Sequence, residues 1–546
     1  MNINFGSSVT NCSIIFNTTG NYIIKPNSMP YYNAIDVSGS NWNGSLAFPP
    51  NVENMYCQSA NNMNSEITFP DSCTTLRSSM QSMWRFNRPI KLPSNLININ
   101  GLMSIMNTLN QYIEIPNTVT NIHRMFDSCT SFNQNIKLPN TGNLVSCSKL
   151  YYNCCILNIN ITNSTIPQSV TNISGMFYND VNAHVQNNFS LPNNITNMHE
   201  AFLNSSSFFN NVTLPGNVID ISGCFAGSNL HEPVNIPDSV VNASTFYQST
   251  WISQFNYDNK QLPTNLLPMS GNLTEISSMF GTPLSNSMFN QQIQIPNSVT
   301  NIAGLFRKCN VYNQPVNIPN NVTDLSNMFN GCTNFNQPIN IPNNATITAG
   351  MFYGCTNFNQ PVNLPNNIKY LYEMFQNCVN FNQPINLPNN AIVLNHMFNR
   401  CYNFNQPVNI PNNATAYGLF RDCTNFNQPV IFGNSVFHAG AMFQNCVNFN
   451  QNIILPDIQT ATNMFVNCNK LSDITLTNKI ITATNMFRAN NYQSLNIHVI
   501  NDNIATKCMT ERIIQGNIKP KWSVIDNGYY NALYNIYIYT NAVLPD

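Results

Sequence analysis

"MFNGCTNFNQPINIPNN" occupies residues 328–344 and "MFYGCTNFNQPVNLPNN" occupies residues 351–367, so two stretches that differ at three positions lie 23 residues apart. The two-residue "MF" block marks further copies. They begin at Leu305, Met328, Met351, Met374, Met397, Leu419, Met442, Met464 and Met486. Looser copies run upstream through Met55, Leu102, Met125, Leu150, Met176, Ala201, Cys224, Thr245 and Met279, with another near Ser79, making 19 starts in all. A repeat of this length is one supersecondary unit, which cannot bury its apolar face alone and must stack on its neighbours.

Within residues 328–350 the apolar positions are Met328, Phe329, Cys332, Phe335, Ile339 and Ile341. Three- and four-residue spacing around "MFxxC" predicts a helical turn, and the alternation Ile339-Asn340-Ile341 predicts a short strand with its Asn facing out. Proline recurs just before that strand at Pro315, Pro338, Pro361, Pro384, Pro407 and Pro429. Having no amide hydrogen, it sets the strand's start, and the second proline of "IPNN" sets its end. The predicted fold is therefore an α/β solenoid of about 19 coils of 22–26 residues with short parallel strands. It spans residues 51–492, with non-repeat caps at residues 1–50 and 493–546. The lengthened stretch at 250–276 reads as an inserted loop, and the alternating Ile536, Tyr537, Ile538 and Tyr539 as an amphipathic cap or docking strand.

Only 8% of the 546 residues are charged, with 21 Lys plus Arg against 22 Asp plus Glu, so the polar surface must be made of neutral amides and hydroxyls. Such a chain has no long-range field to gather a nucleic acid. The first residues lack the basic stretch and apolar block of an export signal, and no apolar run reaches the roughly 18 residues of a membrane span. The reading therefore expects neither the usual secretory route nor membrane insertion. Most of the seventeen Cys follow the repeat, as in Cys129, Cys154, Cys309, Cys332, Cys355, Cys378, Cys401, Cys423, Cys446 and Cys468. A single sulfur per coil with no His column suits a small buried filler better than a metal site or a disulfide framework.

"IPNSVTNIAGLFRKC" at 295–309 resembles the BspA-like leucine-rich repeat, and "YNQPVNIPNNVT" at 312–323 resembles the FNIP repeat of slime moulds and large DNA viruses. Both are leucine-rich-repeat variants. The resemblance implies recognition of proteins, glycans or host surfaces, and it brings no catalytic residues to carry over.

No phosphate loop, nucleophile elbow or zinc-binding helix motif occurs, so no cofactor, metal or enzymatic activity is expected. The pairs His199-Glu200 and His231-Glu232 read as surface polar residues, because neighbours on an extended piece point to opposite faces. The outward column of the strand is where a binding face would be written. Its candidates are Lys91, Glu114 and Lys137 early, Asn317, Asn340, Asn363, Asn386 and Asn409 in the middle, then Ile431 and Ile454. The competing reading is that the Asn side chains only ladder with one another. The functional expectation is a non-enzymatic recognition or structural module binding a protein or glycan. A virion surface component is the leading setting, assembled with other virion proteins through its termini. A bacterial adhesin and an intracellular scaffold are the alternatives.

Overall fold

The computed structural model describes residues 64, 66–158, 165–180, 191–205, 212–230, 233–248, 266–269, 271–282, 287–476, 480, 482–488 and 495–499, together with the backbone of several short strands outside those ranges. Two compact units are formed. One comprises Met1–Phe255 and Asn265–Leu273, the other Asn256–Thr264 and Thr274–Asp546.

Each unit is a stack of coils. In the first, parallel bridges run Thr75, Asn98, Asn121, Ser146, Asn172, Asn197, Asp220, Asn242, one residue per coil. Upstream, Asn2–Asn4, Tyr22–Lys25, Leu46–Ala47 and Ile67–Thr68 pair in parallel, as do Asn11–Ser13, Tyr32–Asp36 and Val52–Tyr56, so coil-like pairing begins before residue 51. In the second unit the bridges run Glu275, Asn301, Asp324, Ile347, Tyr370, Val393, Thr415. Lys521–Asp526 pairs in parallel with Asn496–Val499 and is followed by the antiparallel strand Tyr529–Asn535. That reversal of direction ends the parallel ladder. Residues 536–539 lie outside the described residues, as does most of the stretch 250–276.

The segment that carries "MF" is not helical, and no α-helix occurs among the described residues. Asn327 and Gly331 have φ of 55° and 79°, and left-handed residues four apart forbid a right-handed helix. The chain instead makes overlapping turns, in which the amides of Met328, Asn330 and Cys332 donate to the carbonyls three residues back. The alternate amides of Leu325, Asn327, Phe329 and Gly331 donate to Ile347, Ala349, Met351 and Tyr353 of the next coil, at 2.7–3.0 Å. Every backbone donor of the segment is thus satisfied, half within the coil and half between coils. The same two positions recur in coil after coil, filled at about half of these sites by Asn or Gly, the residues that tolerate this conformation best, and at the rest by residues such as Ser, Lys, Arg and Glu. Part of the Asn content is explained by this requirement. An Asx turn starts each segment where the bridge residue allows it, as Asp324 Oδ1 accepts the Ser326 amide at 2.8 Å.

The core is built as the spacing predicts. Met328, Phe329, Cys332 and Phe335 are fully buried, and Ile339 and Ile341 nearly so. Two aromatic rings per coil interleave into a column: Phe329 and Phe335 stack at 4.0 Å, and Phe329 meets Phe352 of the next coil at 5.7 Å. The column cysteines are free and buried.

Candidate binding face

The face is set by the segment between the two prolines of each coil. Phe335, Ile339 and Ile341 point inward, so the opposite parity, Asn336, Pro338 and Asn340, faces out. The strand predicted here is extended with the expected alternation, yet it is not laddered in most coils. Residues 316–318, 339–341, 362–364 and 385–387 form no coil-to-coil backbone hydrogen bonds. Pairing appears at Val408–Ile410 with Val430–Phe432, where the step between coils shortens from 23 residues to 22.

Two Asn columns share this wall and behave differently. The Asn of "FNQ" is used up by the fold. Asn336 Oδ1 accepts the Asn359 amide at 2.9 Å and Gln360 Nε2 at 3.2 Å, Asn359 does the same for Asn382 and Gln383, and the series continues to Asn450. A side-chain carbonyl here replaces the backbone acceptor that the neighbouring proline-interrupted strand does not supply. The paired Asn after the second proline also bond along the stack, although to backbone rather than to each other: Asn344 Nδ2 donates to the Asn320 carbonyl at 2.9 Å. The candidate column is different. Asn317, Asn340, Asn363, Asn386 and Asn409 are exposed, and their amides make no hydrogen bond to another coil.

The column changes character toward its carboxyl end. Asn409 pairs in register with Ile431, and Ile454 with Thr475, which in turn pairs with His498. Ile431 is 64% exposed and Ile454 67%, the highest values among the described large apolar residues. His498 Nε2 lies 3.0 Å from Asp473 Oδ1 beside them. In the first unit, Lys91, Glu114 and Lys137 occupy the equivalent exposed position in successive coils, and no ion pair joins them.

A second exposed set escaped the sequence reading. Tyr370, Tyr372, Ile392, Tyr417 and Phe437 are all exposed on the bridge side of the second unit. Tyr372 and Tyr417 interrupt a column of small or polar residues such as Ser326, Ala349 and Asn395, and Ile392 and Phe437 one that begins as Thr300, Thr323 and Thr346, and those interruptions were the signal available in the sequence.

The His199-Glu200 pair corrects an expectation. His199 Nε2 stands 3.7 Å from Glu200 Oε2, because Glu200 has φ of 53° and the chain turns there instead of running extended. His199 Nδ1 also lies 2.7 Å from Ser222 Oγ, which donates to Asp220 Oδ1 at 2.6 Å. The hydroxyl proton is directed at the carboxylate and not at the imidazole, the reverse of a nucleophile and its base. An analogous contact joins His123 Nδ1 to Ser148 Oγ at 2.6 Å, and burial holds the His123 imidazole below its usual range. His231 and Glu232 lie outside the described residues.

Stacked coils of this length, a bridge column on one wall, an extended wall opposite and a core of recurring apolar positions define a leucine-rich-repeat solenoid. The profile of the family described as "Mycoplasma protein of unknown function, DUF285" matches residues 74–190, 238–320, 319–410, 369–479 and 412–500, more than half of the chain, and the chain belongs to that family. Residues 157–257 match the BspA type leucine rich repeat region, in agreement with the BspA-like likeness read from the sequence. Among solved structures, a leucine-rich repeat protein from Bacteroides ovatus is 14% identical, with 83% of this chain and 86% of that chain covered and a TM-score of 0.23. A leucine rich cell surface protein from Faecalibacterium prausnitzii is 15% identical, with coverage of 79% and 90% and a TM-score of 0.27. No curated protein matches. No helix among the described residues is long and apolar enough to cross a membrane.

Proposed function

We propose that the chain is a non-enzymatic recognition solenoid of about nineteen coils that binds a protein or glycan through its outward column. The observation that supports this is the contrast between two Asn columns on one wall. The Asn336 series is consumed by coil-to-coil bonding, while the Asn340 series, which holds Asn in five successive coils from Asn317 to Asn409, has no such use. At the end of the same column Ile431 and Ile454 place bare aliphatic groups in water, a cost that contact with a partner removes. The early Lys91, Glu114 and Lys137 occupy the equivalent exposed position in coils of the first unit.

The setting we favour is the outside of a virus particle meeting its host, anchored to other virion proteins by a terminus. A surface of neutral amides carries little field and so adheres little to the charged polymers it passes, which suits an exposed appendage. Antibody labelling of purified particles and of intact cells separates this from a cell-surface adhesin. A chain found on cells and absent from particles would overturn the virion setting.

The recognition reading is tested by arraying the full chain against host-surface and matrix ligands, beside Ile431→Asp, Ile454→Asp and an Asn-to-Ala series along the column. Loss of binding in either set is the expected outcome. Wild-type binding by all of them would remove the column from the function. The exposed Tyr370, Tyr372 and Tyr417 favour a second reading, a protein partner on the bridge wall, since Tyr is enriched at such interfaces.

A further inference from the structure

We infer that the wall carrying Asn317, Asn340, Asn363, Asn386 and Asn409 binds a linear, uncharged polysaccharide laid along the stack, one sugar ring per coil. The inference rests on the recognition reading above and gives it a ligand class.

Three features of the wall bear on this class. The first is charge. Residues 312–321, 335–344, 358–367, 381–390 and 404–413 contain no Asp, Glu, Lys, Arg or His, so five successive coils present a wholly neutral face. The charged residues of the same coils, among them Asp324, Lys369, Glu373 and Arg400, all fall outside these segments. An anionic polymer finds no counter-charge here, and a neutral one loses none of its affinity to unpaired charges.

The second feature is chemical pairing. The exposed Pro338 and Asn340 are two residues apart on an extended backbone and so face the same way, and each of the five coils repeats the pair. A sugar ring offers an apolar C–H face and a rim of hydroxyls that both donate and accept. A proline ring suits the face. A primary amide, with its two donors and one acceptor oxygen, suits the rim.

The third feature is period. The ring column that flanks this wall repeats at 5.9–6.0 Å, from Phe335 through Phe358 and Phe381 to Phe404. One step is on the scale of one pyranose ring with its bridging oxygen, so each coil can offer its Pro and Asn pair to one ring of a chain linked through opposite ends of its rings. An extended peptide advances about 3.3 Å per residue, or about 6.6 Å between side chains on one face. The period therefore admits either polymer, and the choice of a sugar rests on the neutral face and the pairing of proline ring with amide.

The test is affinity electrophoresis of the full chain through gels containing neutral soluble glucan, mannan or chitosan-free chitin oligosaccharides, followed by calorimetry over a series of chain lengths. The expected result is retardation by a neutral polymer, none by an anionic one, and affinity that rises with length until the oligosaccharide spans the five amides. The variant Asn340→Ala/Asn363→Ala/Asn386→Ala removes three amides that take no part in the fold, and should bind roughly a hundredfold more weakly with unchanged circular dichroism. Lys369→Ala, outside the face, should bind as wild type. Failure of every neutral polysaccharide, or undiminished binding by the triple variant, would overturn the inference. If a protein or an extended peptide is captured by this wall while polysaccharides are not, the ligand class is wrong and the recognition reading stands. If neither binds, both fall.

Discussion

Each column cysteine has a use beyond filling space. Cys332 Sγ donates to the Phe306 carbonyl at 3.0 Å, Cys355 to Phe329 at 3.1 Å and Cys378 to Phe352 at 2.9 Å, so a weak thiol donor satisfies one backbone acceptor per coil. Alanine would fill less and donate nothing, whereas serine would bury a stronger polar group at greater desolvation cost. Burial pushes the Cys129 and Cys309 thiols up to about 12, and raises those of Cys332, Cys355 and Cys378 as well. At neutral pH these groups are therefore thiols and not the reactive thiolates. Iodoacetamide treatment of the native chain, mapped by peptide mass spectrometry, should label the exposed Cys155 and leave the column unmodified until denaturant is added. Labelling of Cys332 or Cys355 without denaturant would show that the column is open.

At the scale of the coil, the decisive distinction is between two Asn positions that look alike in the chain. Asn336 and Asn340 both recur at the coil period, and spacing alone does not tell which is bonded, since that depends on where the backbone amide of the next coil falls. The signal was that the Asn336 column keeps Asn from Asn290 to Asn450, while the Asn340 column gives way to Gln294 before it and Ile431 after it. Replacing Asn336 with Leu strands the Asn359 amide and Gln360, at about 1–3 kcal/mol, whereas Asn340→Leu should change stability by no more than about 0.5 kcal/mol. Urea midpoints of the two variants, with amide exchange at Asn359, provide the comparison, and equal losses would refute the assignment of the columns. The turn segment was hidden for a similar reason. Met328, Phe329 and Cys332 have the spacing of a helical face, and overlapping turns bury the same three positions. Asn327 and Gly331, four residues apart, were the discriminating residues. What was legible was most of what depends on burial: the stacked coils, the inward residues from Met328 to Ile341, the free cysteines and the exposed Asn340 between two buried isoleucines, but not the exposed Tyr370, Tyr372 and Tyr417. The rest of what was not legible depends on hydrogen-bond direction.

Across a unit, stability is a sum over neighbours. Phe335 is fully buried, stacks on Phe329 at 4.0 Å and reaches Tyr312 and Phe358 at 6.1 and 5.9 Å, so all its ring partners lie in its own coil or the adjoining two. Phe335→Ala should cost about 3–5 kcal/mol, as truncation of a large buried aromatic does. In a one-dimensional stack the damage stays local. Hydrogen exchange should accelerate around residues 306–358 while protection near Phe420 and Phe443 is retained. Uniform loss of protection across the second unit would mean that its coils unfold as one.

The contacts of one coil with the next also bear on how such a gene changes length. Cys332 meets Phe306 and Cys355 meets Phe329 through the same bond, and the Asn336–Asn359 link repeats that of Asn313 and Asn336. The two surfaces of a coil are therefore complementary, and each interface between coils is a copy of the next. Excising residues 328–350 would bring Cys355 to the carbonyl that Cys332 had used, with the ladders re-formed and no new interface to invent. Unequal crossing-over within the repeat thus lengthens or shortens the protein in whole coils, and natural variants of the gene can differ in reach while keeping every surviving contact.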